Sequence, residues 1–286
     1  MRKLVLIMMV LFVGSVFAPR AQAGDQFSIS VTPKLWASVE NFNDYNTSYF
    51  TTLNRNTGVV TSYVQARQQI NIPLVGVAIV MTPGTVPLDF LFNFYGGNGK
   101  GRFVSNSNNV KEGAGAGTTV LGNYEAKRTD VETLIRYRPE GKTVNFFTGL
   151  RVNSFIDDLK LETAGYTWTA TRSTSRRKKT TIVLWEVGAG FFAPITDSGM
   201  HRFFGNTTFG MGSYRSNITN ATDQTAYLIK GGAVAWDINS GYEFAYGQHF
   251  AFNMRYRAYV KPAGPLKDGY NLTVVHGPDF GITLRY

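Results

Sequence analysis

The chain has 286 residues, and 29 basic residues against 19 acidic ones give it a formal net charge of +10. It contains no cysteine, which excludes a disulfide framework, a thiolate metal site and a lipid-modified N-terminal cysteine. The basic balance favours anionic partners or an anionic membrane surface, but it does not specify a fold.

The N-terminus predicts a secretory signal peptide over residues 1–23. A basic start precedes an apolar run, residues 4–18, which is short for a membrane-spanning helix, and a small-x-small cleavage pattern ends at Ala23. Cleavage there leaves residues 24–286 as one domain, because no Pro- or Ser-rich linker divides them. The alternative is an uncleaved N-terminal anchor.

Beyond the signal peptide, apolar and polar residues alternate, which places them on opposite faces of strands. The first strand presents one apolar series: Phe27, Ile29, Val31, Leu35, Ala37 and Val39. The last strand does the same with Phe280, Ile282, Leu284 and the aromatic Tyr286, against Asp279, Gly281, Thr283 and Arg285. A strand between lipid and a polar lumen must show this pattern every time. Residues 70–81 are weaker, since both faces are apolar there.

The connections between these segments are alternately long and short. Short turns rich in Pro, Gly and Asp are predicted at residues 82–87, 139–142, 194–199 and 246–248. Long polar connections are predicted at residues 41–63, 98–119, 158–180, 216–225 and 262–270. Four turns and five long connections join ten strands. The sequence therefore predicts an all-β fold: a transmembrane antiparallel β-barrel of about ten strands with short periplasmic turns and long external loops.

On these features the chain resembles the bacterial outer-membrane β-barrel proteins, although its terminal residue is Tyr286 where Phe is more usual. The resemblance covers residues 24–286 and names no subfamily. It implies the outer membrane of a Gram-negative bacterium as location, outer-membrane lipid and lipopolysaccharide as partners, and recognition of the C-terminal strand by the barrel-assembly machinery. A soluble periplasmic β-sandwich or lipocalin-like barrel is the alternative, but its exposed apolar belt would be a liability.

The lumen face is predicted to carry a network of charges of both signs. Its members are Lys34, Asp89, Glu132, Arg136, Arg151, Glu186, Glu243, Arg255, Arg257 and Arg285, together with Glu40, Arg67, Asp130, Asp237 and Asp279. Buried charges need partners, so one interpretation is a paired network that fills a ten-stranded barrel. The other is a narrow porin-like channel for small polar solutes.

A basic run in the third long connection is a candidate contact for lipopolysaccharide phosphate groups. Its members are Arg172, Arg176, Arg177, Lys178 and Lys179. A solvated loop and adhesion to other polyanions remain open. Nucleic acid is disfavoured as a partner because no domain positions this single cluster. Residues 113–117 are Gly-rich but lack the Lys and Ser/Thr of a phosphate loop.

Enzymatic activity is disfavoured by the positions of the three histidines. Omptin-type proteases, which also have ten strands, place acidic pairs and an Asp-His pair at the outer rim. Here His201 and His249 lie by short turns, His276 points outward by parity, and the Asp157-Asp158 pair has no histidine nearby in sequence. No cofactor motif or metal-ligand spacing is present. The sequence therefore favours a non-enzymatic barrel with a structural or surface-interaction role; a narrow channel is the alternative, and a hydrolase comes last.

Overall fold

The computed structural model describes residues 27–44, 66–84, 86–107, 118–162, 175–220, 226–262 and 272–286. The predicted signal peptide, Arg172 and the Gly-rich residues 113–117 lie outside these ranges. Within them, no helix is long and apolar enough to cross a membrane.

Ten strands form one closed antiparallel barrel in which sequence neighbours pair and β1 closes against β10. This confirms the predicted fold class and strand count. The strands are β1 Ser28–Asp44, β2 Ala66–Thr82, β3 Leu88–Ser107, β4 Thr118–Tyr137, β5 Val144–Glu162, β6 Ser175–Pro194, β7 His201–Asn220, β8 Ala226–Tyr246, β9 Phe250–Pro262 and β10 Leu272–Arg285.

Short turns after β2, β4, β6 and β8 lie at one end of the barrel, together with residue 27 and residue 286. We call this the short-turn end and the opposite one the long-loop end. Gly141 and Gly247 allow two of these turns, since their φ angles of 66° and 69° suit glycine far better than a residue with a Cβ atom.

The two faces of the sheet differ as the alternation predicts. Outward side chains form an apolar band in which Leu150, Trp185 and Met211 are about 60% exposed. Inward side chains are buried and include large aromatic and charged groups. Glycines on the inner face make room for them: a Cβ atom on Gly76 would lie 2.7 Å from the ring of Tyr95.

The strands extend further toward the long-loop end than the sequence predicted. Residues 41–44, 98–107, 118–119, 158–162, 175–180, 216–220 and 262 were assigned to connections but belong to strands. Those predictions were wrong for a physical reason. Above the apolar band both faces of a strand are polar, so the period-two contrast that marks a strand disappears.

Candidate functional site

The centre of the lumen is occupied by a cluster of ion pairs around Arg151 of β5. Its Nη2 lies 2.5 Å from Asp130 Oδ2, and its Nη1 lies 2.7 Å from Asp237 Oδ2 and 3.5 Å from Glu186 Oε1. The guanidinium stacks 3.8 Å from the ring centroid of Tyr259. Arg151 is 0% exposed, so its charge is neutralised wholly by protein groups.

Arg257 of β9 also belongs to this cluster, and β9 is the neighbour of β8, which carries Asp237. Its guanidinium contacts Asp237 closely and lies 3.7 Å from Asp130. It also lies 4.7 Å from the ring of Trp36, an arrangement typical of cation–π contacts. Asn153 donates a 2.7 Å hydrogen bond to Asp130 Oδ1. Two arginines and two aspartates thus share hydrogen bonds that cross the barrel.

Two further sets of polar contacts lie in the lumen beside the Arg151 cluster. Arg255 lies 2.5 Å from Asp279, which also accepts a 2.7 Å hydrogen bond from the hydroxyl of Tyr95. Lys34 donates to Asn93 at 3.1 Å, and Asn93 donates to Glu132 at 2.7 Å.

A second charge cluster lies nearer the long-loop end, around the fully buried Glu40. Arg128 Nε lies 2.6 Å from Glu40 Oε2, and Lys261 Nζ lies 2.7 Å from Glu40 Oε1. Arg128 also contacts Asp157 at 2.7 Å, and Lys261 lies 3.4 Å from the ring centroid of Phe155.

Apolar side chains fill the lumen between and beside these clusters. The large ones Ile72, Ile182 and Leu184 each have 0% exposure. We refer to the two charge clusters and this apolar layer together as the plug. Since its central side chains have no solvent contact, the described part of the barrel is filled at mid-height.

Between the plug and the short turns, the lumen opens into a cavity of about 1290 Å³, which we call the vestibule. On one wall Asp89 Oδ2 accepts from Arg136 Nε at 2.6 Å, while Arg138 Nη2 lies 2.9 Å from Asp89 Oδ1. Thr82 donates a further 2.8 Å hydrogen bond to Asp89 Oδ1. We call Asp89, Arg136 and Arg138 the Asp89 triad.

A similar triad lies on another wall of the vestibule. Glu243 Oε1 lies 2.8 Å from Arg285 Nη2 and 3.3 Å from Arg202 Nη1. Arg202 also donates to the carbonyl of Gly199 at 2.6 Å. We call Glu243, Arg202 and Arg285 the Glu243 triad.

All ten lumen residues singled out from the sequence face the lumen, but they do not form a single network. Arg151, Glu186 and Arg257 belong to the plug, while the other seven line or border the vestibule: Lys34, Asp89, Glu132, Arg136, Glu243, Arg255 and Arg285. The side chain of Arg67 lies outside the described part.

Sequence reasoning missed the cluster around Glu40 because its other members were not assigned to the lumen. Arg128, Asp130 and Glu132 are alternate residues of β4, so they lie on the same face of the sheet. Continuing the alternation from Glu132 back to residue 128 would therefore have placed Arg128 in the lumen. In the same way, Lys261 lies on the face of β9 that carries Arg257, and Asp157 lies on the face of β5 that carries Arg151.

The basic run does not lie in a loop, and this correction changes its meaning. Residues 175–179 belong to β6, so successive side chains alternate between faces. Arg177 and Lys179 are exposed on the outer face, while Lys178 lies on the lumen parity between them. Arg177 pairs with Asp158 at 3.5 Å. The side chain of Arg176 lies outside the described part, as does Arg172.

Other outward cations lie beside Lys179 near the long-loop end. Arg215 of β7 and Lys230 of β8 are direct cross-strand partners, and both are exposed. Lys179 pairs with Asn217, two residues from Arg215, so the three cations occupy neighbouring positions of one face. No ion pair joins any of the three to a carboxylate within the described ranges. Like charges placed opposite one another repel unless an anion lies between them.

The histidines bond to neutral groups in the hydrogen bonds of the described residues. His276 faces outward, with Nδ1 2.6 Å from the hydroxyl of Tyr256 and Nε2 2.8 Å from Nδ2 of Asn41. His201 contacts the Tyr242 hydroxyl and His249 the carbonyl of Arg285. Across the described ranges, no group of three His, Asp or Glu side chains is placed to hold a metal ion.

No protein-family model and no curated protein matches the chain. A structure of the outer membrane protease OmpT from Escherichia coli is similar over 93% of this chain and 100% of its own, with 7% identity and a TM-score of 0.55. A mutant of the TodX monoaromatic hydrocarbon channel aligns over 91% of this chain and 70% of its own, with 10% identity and a TM-score of only 0.31. The chain therefore has the fold of the bacterial outer-membrane β-barrel proteins, in a closed form of ten strands.

Proposed function

We propose that this chain is a non-enzymatic protein of the Gram-negative outer membrane, exported by the signal peptide 1–23. Its lumen is closed, and its outer face contacts lipopolysaccharide in a structural or surface-interaction role. The observation that carries this proposal is the plug. Arg151 and Glu40 are fully buried, and both are ion-paired with side chains of other strands.

A closed lumen follows from the way these charges are satisfied. In a water-filled channel, lining arginines and carboxylates keep part of their hydration, whereas burial without partners is strongly unfavourable. Here Arg151 has three carboxylate neighbours and a stacked tyrosine ring. A ten-stranded barrel is close to the size at which side chains alone fill the interior.

The lipopolysaccharide contact is supported by Lys179, Arg215 and Lys230. They face outward near the long-loop end, where the outer-leaflet headgroups lie in an embedded barrel. Arginine and lysine are effective donors to phosphate. An anion shared by the three would relieve the repulsion between the Arg215 and Lys230 cross-strand partners.

The experiment compares binding of lipopolysaccharide to the refolded wild type and to the Lys179→Gln/Arg215→Gln/Lys230→Gln variant. We expect at least a tenfold weaker affinity for the variant, since each lost charge-assisted hydrogen bond contributes about 1.5–3 kcal/mol. Dephosphorylated lipopolysaccharide should bind both proteins equally weakly. Membrane fractionation and heat-modifiable gel mobility should show both proteins folded in the outer membrane.

The matched control removes three exposed cations that belong to neither this group nor the vestibule triads: Lys100→Gln/Lys127→Gln/Lys142→Gln. It has the same net charge change and should bind lipopolysaccharide as the wild type does. If both triple variants lost affinity for lipopolysaccharide equally, the binding would depend only on net charge, which would contradict the assigned contact. Recovery of the wild type in the soluble periplasmic fraction would overturn the whole proposal.

A narrow channel for small solutes is the second candidate, and the vestibule is the observation that favours it. Conduction would require the plug to rearrange, because the cavity ends at the Arg151 cluster. In planar lipid bilayers we expect no conductance steps from the wild type. A Trp36→Ala/Tyr259→Ala variant should conduct, with the outward-facing Trp185→Ala as a control that stays silent. Steps from the wild type would favour the channel.

A hydrolase remains the least favoured reading. The similarity to OmpT concerns the fold, and Asp157 and Asp158 lie on opposite faces of β5. Asp157 contacts Arg128 in the lumen, while Asp158 contacts Arg177 outside. They therefore do not form an acidic pair at one site.

A further inference from the structure

Guanidinium groups outnumber carboxylates in each of the two triads at the mouth of the vestibule, which Glu140 and Lys142 also line. Each triad joins one carboxylate to two arginines, so each carries one uncompensated positive charge. Asp89 is 0% exposed and Glu243 is 12% exposed, whereas Arg138 is 46% exposed and Arg202 is 30% exposed. The carboxylates lie behind the arginines, and the cavity meets the positive side.

The carboxylates themselves have little capacity left for other partners. Asp89 already accepts from Arg136, Arg138 and Thr82, and a carboxylate offers about four acceptor positions. Arg138, in contrast, uses only its Nη2 on Asp89, and a guanidinium has five N–H donors. Donors are therefore in surplus at the mouth of the vestibule.

The triads occupy opposite walls that strands hold in place. The Asp89 triad lies on β3 and at the end of β4, and the Glu243 triad lies on β7, β8 and β10. Three steps around the barrel separate β4 from β7, and three separate β10 from β3. Backbone hydrogen bonds anchor Arg138 to Pro87 and Arg285 to His249. The cations are thus held before any ligand arrives.

We propose that the vestibule binds a soluble multivalent anion that carries phosphate or carboxylate groups. Arginine forks suit both groups because each offers paired oxygens to parallel N–H donors. Two surplus charges on facing walls favour a ligand with at least two anionic groups over a monovalent ion. The site is separate from the outward cations Lys179, Arg215 and Lys230. That the vestibule opens to the periplasm rests on the proposed function, whereas the binding itself does not.

The test is calorimetric titration of the refolded protein in non-ionic detergent at constant ionic strength. Inorganic pyrophosphate and citrate are the two probes, so that phosphate and carboxylate recognition are measured separately. We expect saturable binding of one or both. The Arg138→Gln/Arg202→Gln variant should bind at least about tenfold more weakly, since one charge-assisted contact is lost on each wall.

This variant is expected to fold, because Asp89 keeps Arg136 and Glu243 keeps Arg285. The matched control is Lys127→Gln/Arg177→Gln, which removes two exposed cations that belong to neither proposed anion site and should bind both probes like the wild type. No saturable heat with either probe, or equal weakening in the control, would overturn the proposal. The titration needs neither a membrane nor a closed lumen, so its failure is distinguishable from a failure of the proposed function.

Discussion

The plug and the vestibule are built from the same residue types, but they satisfy their charges differently. In the plug, Asp130 and Asp237 each contact both Arg151 and Arg257, and all four are nearly or wholly buried. In the vestibule, one carboxylate serves two arginines that remain partly exposed to the cavity. The central arginines and aspartates of the plug thus neutralise one another, whereas the arginines of the vestibule retain N–H donors without a partner carboxylate.

The difference shows that ionic residues have two roles within one lumen. Buried pairs gain Coulombic attraction only by losing hydration, so their net benefit depends on complete pairing. Partly exposed arginines keep much of their hydration and can exchange it for a ligand. Substitutions should therefore be costly in the plug and mild in the vestibule.

The largest effect should come from Arg151→Met. It leaves Glu186 buried without an arginine and Asp130 with only Arg257 at 3.7 Å, and breaking a buried pair in this way costs about 3–5 kcal/mol. The free energy of unfolding in lipid vesicles, measured by denaturant titration, provides the value. The control Arg177→Met removes a largely exposed pair and should cost about 0–1 kcal/mol. Similar losses in both would contradict the distinction between buried and exposed pairs.

The next largest loss of stability is expected for a substitution on the outer face, and it tests whether hydrocarbon surrounds the barrel. Leu150→Arg places a charge in the apolar band, where the free energy of unfolding should fall by about 2–4 kcal/mol in lipid vesicles. Asn217→Arg makes the same change outside that band and should cost about 0–1 kcal/mol. If Leu150→Arg is as mild as its control, hydrocarbon does not cover the band.

An intermediate effect is expected for Asp89→Asn. The substitution leaves Arg136 and Arg138 without their carboxylate, but both arginines are partly exposed and can recover hydration. We expect a loss of about 1–3 kcal/mol, the range for an unsatisfied hydrogen-bonding group. A loss as large as that of Arg151→Met in the same denaturant titration would mean that the vestibule is closed like the plug.

The smallest effect should come from Arg138→Gln. Asp89 keeps its contacts with Arg136 and Thr82, so the free energy of unfolding should change by less than about 1 kcal/mol. Arg138 would then contribute to binding rather than to stability. A loss above that of Asp89→Asn would assign it a structural role instead.

The strands were predictable because lipid and lumen impose opposite chemistry on alternate residues. That signal predicted the ten strands, and it failed where strands rise above the apolar band. It misplaced residues 175–180 in a connection for that reason.

The partners within the lumen were not predictable, because they depend on register and on reach across the barrel. Tyr95 and Asp279 are 184 positions apart in sequence, yet they are hydrogen bonded. The triads likewise need strand order, since Arg202, Glu243 and Arg285 come from three strands. The alternation of residues along a strand shows which side chains face the lumen, but it does not show which of them meet in the plug and which line the vestibule.

The most direct test of a lumen closed at mid-height uses the absence of native cysteine. Two single reporters are used: Ser30→Cys lines the vestibule, and Ala235→Cys is buried together with Ile72, Ile182 and Leu184 of the plug. Each is labelled with a soluble maleimide on the folded protein in micelles. The account predicts that Ala235→Cys reacts at least about 100-fold more slowly, because labelling there needs local opening of the barrel. Equal rates at the two positions would show water passing through the plug and would contradict the account.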